Sequence, residues 1–213
     1  MGRRIAAFDF DGTLTRGDTV LPFLVQACGR TNVSRALARV APAAGRARLP
    51  RRPPGAAHHR DLTKELLLRE LFRGHDAASL AEQGEHYAST LRSQLRPQMA
   101  EQVRWHRVAG HELVIVSASL AVYLVPFARA HGFDHAIGVE LEAAPDGRLT
   151  GLLTRPNVRG AEKVTRLRAW LEGTEPEKLW AYGNSRGDQE LLSMATHPVW
   201  VDRRNMRASR SPA

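Results

Sequence analysis

The chain of 213 residues has one cysteine, Cys28. That excludes an intrachain disulfide and any cysteine-rich zinc site, and Cys28 itself reads as a small core residue in a helical pattern. No apolar run approaches the ~20 residues that a membrane-crossing helix needs. Lysine is scarce, three of the 31 basic residues, so the positive charge is carried by arginine. Acid is missing altogether between Arg30 and Arg60, where eight arginines stand. That stretch also lacks aromatic interleaving. Trp105, Trp170, Trp180 and Trp200 are spread over separate segments and read as packing residues, not as a base-stacking platform. No internal repeat is visible.

What is present is globular. With 43% hydrophobic and 25% charged residues, the chain can bury a full core and a subsidiary module. A net charge of +9 raises the question of nucleic acid or an anionic surface. No recognised binding motif answers it, and a basic cover over a cleft for anionic substrates needs no separate partner. The first residues have the charge of a signal region, but Asp9 and Asp11 interrupt the apolar segment, and Arg3-Arg4 leads straight into a strand. Gly2 lacks the Ser/Thr that a myristoylation site requires. The expectation is a cytoplasmic protein.

The run Ile5-Ala6-Ala7-Phe8 reads as a buried strand, and it ends in Asp9-Phe10-Asp11-Gly12-Thr13. Residues two apart on a strand share a face, so Asp9 and Asp11 repel unless a cation lies between them or one holds a proton. A solvated loop with two capping aspartates has the same local sequence. The downstream residues separate the two readings.

Residues 16–100 carry a helical pattern with short helices at 21–28 and 33–41. A Pro/Arg/Gly loop follows at 49–55, and Asp61 is placed to N-cap a helix that runs to Phe72. A further helix covers 77–95, and Pro97 opens the next, which Gly110 closes. Beyond Gly110, strands at 113–116, 136–139, 179–182 and 199–201 alternate with helices at 122–131, 162–171 and 189–195. A hairpin centred on Pro145-Asp146-Gly147 interrupts them. This alternation predicts an α/β fold, a doubly wound parallel sheet whose ligands sit outside the C-terminal strand ends. The expected division is a core of 1–15 and 101–202, a helical cap of 16–100, and a disordered basic tail of 203–213.

Each strand end carries a polar group. Ser117-Ala118-Ser119 offers hydroxyls and N–H groups before a helix. Lys163 sits in a helix's first turn, where a cation opposes the helix dipole unless it faces an anion. Gly183-Asn184-Ser185-Arg186-Gly187-Asp188 adds an amide oxygen and a carboxylate. His58-His59, without acidic partners, reads as solvated, and Arg155, Asn157 and Arg159 read as surface loop.

These four motifs, in this order, resemble those of the haloacid dehalogenase superfamily, in particular the phosphoserine-phosphatase-like branch with its helical cap. The resemblance implies a Mg²⁺-dependent phosphatase that hydrolyses a small phosphomonoester through an aspartyl-phosphate. It assigns Asp9 as nucleophile and Asp11 as general acid and base. Ser117, Ala118, Lys163 and Thr13 would surround the phosphoryl group, Thr13 by fixing the loop. Mg²⁺ would be held by Asp9, Asp11 through its carbonyl, Asn184 and Asp188. One departure stands out: Asn184 occupies the place of an aspartate, a neutral ligand for a charged one. Two other readings remain open, transfer of the phosphoryl group to an acceptor other than water, and a basic binding protein on a weakened scaffold. Asp18 is the nearest acid for an amine on the substrate.

Overall fold

The computed structural model describes residues 2–46, 59–202 and 206–208. Strand β1 (Arg4–Phe8) is followed by α1 (Val20–Cys28), α2 (Arg30–Arg46), α3 (His59–Phe72), α4 (Ala77–Thr90) and α5 (Pro97–Val108). Then come β2 (Glu112–Leu120), α6 (Ala121–Ala130), β3 (His135–Val139) and a hairpin of β4 (Leu141–Ala143) and β5 (Leu149–Leu153). The chain continues through α7 (Ala161–Trp170), β6 (Lys178–Gly183), α8 (Gln189–Met194), β7 (His197–Val201) and β8 (Met206–Ala208).

The main sheet has the order β3-β2-β1-β6-β7-β8, parallel except for β8. β1 lies in its middle, with Ala7 opposite Val114 on one side and Ala181 on the other. Helices cover both faces, which is why Ile5, Ala6, Ala7 and Phe8 form an unbroken apolar run and are fully buried. Connections leave β1 toward β2 and β3 in one direction and reach β6 and β7 in the other. The switch between β1 and β6 opens a crevice at their C-terminal ends, and Asp9 is the first residue past β1.

Helices α1–α4 form the insertion, and its two ends lie side by side. Thr15 pairs antiparallel with Leu95. The Arg16 N–H donates to the Gln94 carbonyl at 3.1 Å, and the Arg96 N–H donates to the Leu14 carbonyl at 2.9 Å. The buried Arg96 guanidinium ties this hinge to the end of β7 through the Asp202 carbonyl at 2.8 Å. Tyr87 of α4 meets Tyr123 of α6 edge-on at 5.2 Å, so the insertion leans on the core.

Several local expectations change in detail. The second helix is 17 residues long and contains Pro42, well beyond 33–41. Asp61 lies inside the first turn of α3 and does not cap it. The stretch 77–95 is helical to Thr90 and then tightens into a 3₁₀ turn, Leu91–Gln94. Met206–Ala208, within the tail expected to be disordered, pairs antiparallel with β7. The loop at 49–55 and His58 lie outside the described residues.

Candidate active site

The loop that carries Asp9 and Asp11 begins at the end of β1. The Asp9 N–H still donates to the Tyr182 carbonyl of β6 at 2.9 Å, as a last ladder bond. Gly12 then turns the chain with φ +77°, and a Cβ there would lie 2.1 Å from Asn184 Nδ2. Only glycine meets both conditions. The loop closes with the Thr15 N–H donating to the Phe10 carbonyl at 3.0 Å.

Asp9 is buried and receives two side-chain donors. Lys163 Nζ donates to Oδ1 at 2.6 Å, and Thr13 Oγ1 donates to Oδ2 at 2.9 Å. The same Nζ lies 2.6 Å from Asp188 Oδ1. Burial alone would lower the Lys163 pKa, but the two carboxylates outweigh it and raise the value. For Asp9, burial prevails over Lys163 and pushes the carboxyl upward. Asp188 goes the other way, because Lys163 and the Ser185 donors overcome its burial. Lys163 explains its own mismatch with the helix dipole: it is 2% exposed and faces carboxylates, not solvent.

Asp11 is held from a different direction. Thr19 donates to its Oδ1 through Oγ1 at 2.6 Å and through N–H at 3.1 Å. Ser119 Oγ donates to its Oδ2 at 2.7 Å. Burial pushes its carboxyl up to about 7 against those hydrogen bonds. Ser117 is buried, its hydroxyl donating to Ser119 Oγ at 3.2 Å. Thr13 is fully buried and spends its hydroxyl on Asp9, so it orients that carboxylate and has no surface for a phosphate.

The last motif is an anchored turn. Asp188 Oδ2 accepts from Asn184 N–H, Ser185 N–H and Ser185 Oγ at 3.1, 2.8 and 2.7 Å. Both oxygens of Asp188 are therefore engaged by protein donors. Asn184 Nδ2 donates to the Asp11 carbonyl at 3.3 Å, which brings its amide next to the main-chain oxygen expected to ligate metal. Among the described residues no group of three or more His, Cys, Asp or Glu gathers as a metal site. The donors on offer here are oxygens: one carboxylate, a carbonyl and an amide, a hard-cation set. The buried network also holds two carboxylates against one ammonium, so it lacks one positive charge. Both observations fit Mg²⁺.

Above these groups lies a cleft of about 450 Å³ between the insertion and the core, lined by Asp11, Ala118, Asp18, Lys64, Asn157 and Arg159, with leucines of α1 and α3. Lys64 and Asn157 form a latch that sequence reading missed. Lys64 Nζ donates to the Ala118 carbonyl and, at 3.0 Å, to Asn157 Oδ1. Asn157 Nδ2 donates to Asp61 Oδ1 at 2.6 Å. Burial lowers the Lys64 pKa to about 8, against nearby carboxylates. Asn157, expected on a surface loop, is buried. Arg155 and Arg159 flank it, and Arg159 lines the cleft. The place of Asn157, four residues before α7, the helix of Lys163, was the available clue. Asp18 lies at the cleft but is exposed, its Oδ2 accepting from the Leu21 N–H at 3.0 Å.

Comparison with known proteins agrees with this geometry. A family model described as haloacid dehalogenase-like hydrolase matches residues 6–193. Protein CicA of Caulobacter vibrioides is 35% identical over 192 residues, 90% of this chain and 82% of that protein. A histidinol-phosphatase of Neisseria meningitidis is 30% identical over 125 residues, 55% of each chain. A Bordetella pertussis protein of unknown function has the same fold at TM-score 0.74 and 27% identity, covering 93% of this chain and 89% of that one.

Proposed function

The chain belongs to the haloacid dehalogenase-like hydrolases, and from that premise we propose that it hydrolyses a small phosphomonoester through a phosphorylated Asp9. One observation carries the reading. Asp9, oriented by Thr13 and Lys163, and Asp11, oriented by Thr19 and Ser119, stand two residues apart at the switch point of the sheet, under a cleft.

An Asp9 oxygen attacks phosphorus as the ester P–O bond breaks, and Asp11 gives its proton to the departing alkoxide. Asp11 then takes a proton from water, which attacks the same phosphorus and breaks the bond to Asp9, releasing phosphate. Lys163 compensates charge at Asp9 throughout. Ser117 and the N–H of Ala118 form the edge on which phosphoryl oxygens rest. Asp9, the Asp11 carbonyl and Asn184, with Asp188 fixing the turn, would hold Mg²⁺, which would supply the positive charge that the buried network lacks. Residues 16–100 act as the cap that limits substrate size, in a protein of the cytoplasm. Among the described residues no helix is long and apolar enough to cross a membrane.

The similarity to a histidinol-phosphatase favours an alcohol of that small size. The test is phosphate release from a panel of small phosphomonoesters, with Mg²⁺ or with chelator. Turnover that survives Asp9→Asn, or activity confined to phosphoproteins and polynucleotide ends, rules the reading out.

A further inference from the structure

Away from the cleft, a groove of about 750 Å³ lies between α5, the end of α6 and the 3₁₀ turn that leaves the insertion. Arg92, Arg104 and Arg107 line it, over an apolar floor that includes Leu95, Val103 and Phe133. No Asp or Glu lines it. Among the described residues none of the three guanidiniums has a hydrogen-bond or ion-pair partner, whereas Arg3, Arg4, Arg39 and Arg166 each pair with a glutamate. Arg107 is also placed against the fold. A Cβ on Gly132 would lie 2.7 Å from its Cζ, so the guanidinium rests on bare backbone at the end of α6.

Three cations sharing one groove repel each other until an anion joins them. A single phosphate offers too few oxygens for three forked donors. The groove lies within the range of about 300–1,000 Å³ that organic ligands occupy, and its floor suits a non-polar portion. A polynucleotide fits less well, because the lining's two aromatic rings, the buried Phe133 and His131, which is stacked on Phe127, offer no row for base stacking. The location adds a consequence. Arg92 belongs to the exit of the insertion, three residues before the Leu95–Thr15 pair, while Arg104 and Arg107 belong to α5 of the core.

We propose that this groove binds a small organic molecule carrying two or more phosphate groups, and that its occupant fastens the exit of the insertion to α5. The site is separate from the catalytic cleft and independent of the reaction assigned there.

Calorimetric titration of the full chain with ATP, in chelator, tests it. ATP should bind the wild type, with AMP weaker by about tenfold, since each lost phosphate removes charge-assisted bonds. Arg104→Gln/Arg107→Gln and, separately, Arg92→Gln should weaken ATP by about tenfold or more while melting like the wild type, because these side chains are exposed. Asp9→Asn should leave ATP affinity unchanged. ATP should also slow tryptic cleavage after the exposed Arg92 in the wild type and not in the double variant. Absent binding, equal affinity in all arginine variants, or sensitivity to Asp9→Asn alone would overturn the proposal. So would a single-stranded oligonucleotide that binds the same arginines more tightly than ATP, or cleavage after Arg92 that ATP does not slow.

Discussion

Lys163 Nζ bridges Asp9 and Asp188, 2.6 Å from an oxygen of each, with all three side chains buried. Its removal leaves two carboxylates face to face without a counter-charge. Lys163→Met should therefore abolish turnover and destabilise the fold by about 3–5 kcal/mol, the usual cost of breaking a buried pair from one side. Asp9→Asn removes a charge from the crowded side and should keep the fold while lowering kcat by about 10⁴-fold or more. Thermal melts beside phosphate-release assays separate the two outcomes. A Lys163→Met protein as stable as the wild type would contradict the buried network.

Gly12 allows the approach of Asn184. Gly12→Ala meets both a positive φ, costing ~1–2 kcal/mol, and a Cβ 2.1 Å from the Asn184 amide. The loop must shift, and a displacement near 1 Å is enough to cost about 10²-fold in kcat. Steady-state kinetics on a purified, folded variant checks this.

Asn184→Asp tests the metal assignment directly. The new carboxylate stands beside the Asp11 carbonyl, now about 3.3 Å from the amide, and repels it unless a cation lies between them. The variant should melt lower than the wild type in chelator, gain more from added Mg²⁺, and reach half-maximal activity at lower Mg²⁺. Unchanged Mg²⁺ dependence in both measurements would show that Asn184 is not a ligand.

The Lys64–Asn157–Asp61 latch joins α3 to the loop that leads into α7. Asn157→Ala leaves Asp61 and Lys64 without their shared partner and loosens the cleft cover. The expected result is a KM raised about tenfold with a smaller change in kcat, because substrate is held less well while Asp9 and Asp11 are undisturbed.

Under the sheet, His106 is fully buried between Tyr182 and His111. The Tyr182 hydroxyl donates to Gln102 Oε1 at 3.1 Å, so it accepts from His106 Nε2–H, and His106 Nδ1 accepts from His111. A second proton on His106 would oppose the His111 donor. Burial, then the neighbouring His111, lowers the His106 pKa to about 3. The neutral form is favoured in the folded state, so its stabilisation is complete above the ordinary pKa near 6.5 and is lost as pH falls toward 3. In that window the loss is about 1.4 kcal/mol per pH unit from this group. His106→Gln should flatten the acid side of the stability curve by that slope, as chemical denaturation at several pH values would reveal.

The strand ends were readable because each motif is local. Asp9, Asp11, Ser117 and Asp188 sit a few residues past apolar runs, the parallel topology brings those runs together, and Lys163 reaches the same place from the first turn of α7. What holds Asp11 was not readable. Thr19 has no distinctive neighbourhood in sequence, and Ser119, read there as part of an anion seat on β2, turns its hydroxyl to Asp11 instead. Lys64 was hidden for a related reason: which residue of an inserted helix reaches the core depends on how α3 docks. The length of α2 was missed because Pro42 usually ends a helix, and β8 because arginine-rich sequence does not resemble a strand.

The pairing of Thr15 with Leu95 bears on how this protein can change over generations. Because the chain leaves the core and returns to it through residues that pair side by side, whatever lies between can lengthen, shorten or be exchanged at small entropic cost to the core. The catalytic loop ends at Leu14, one residue from that junction. A replacement there inherits the reactive groups intact and alters only what stands over them, so new substrate ranges can arise by swapping a segment and leaving the chemistry in place.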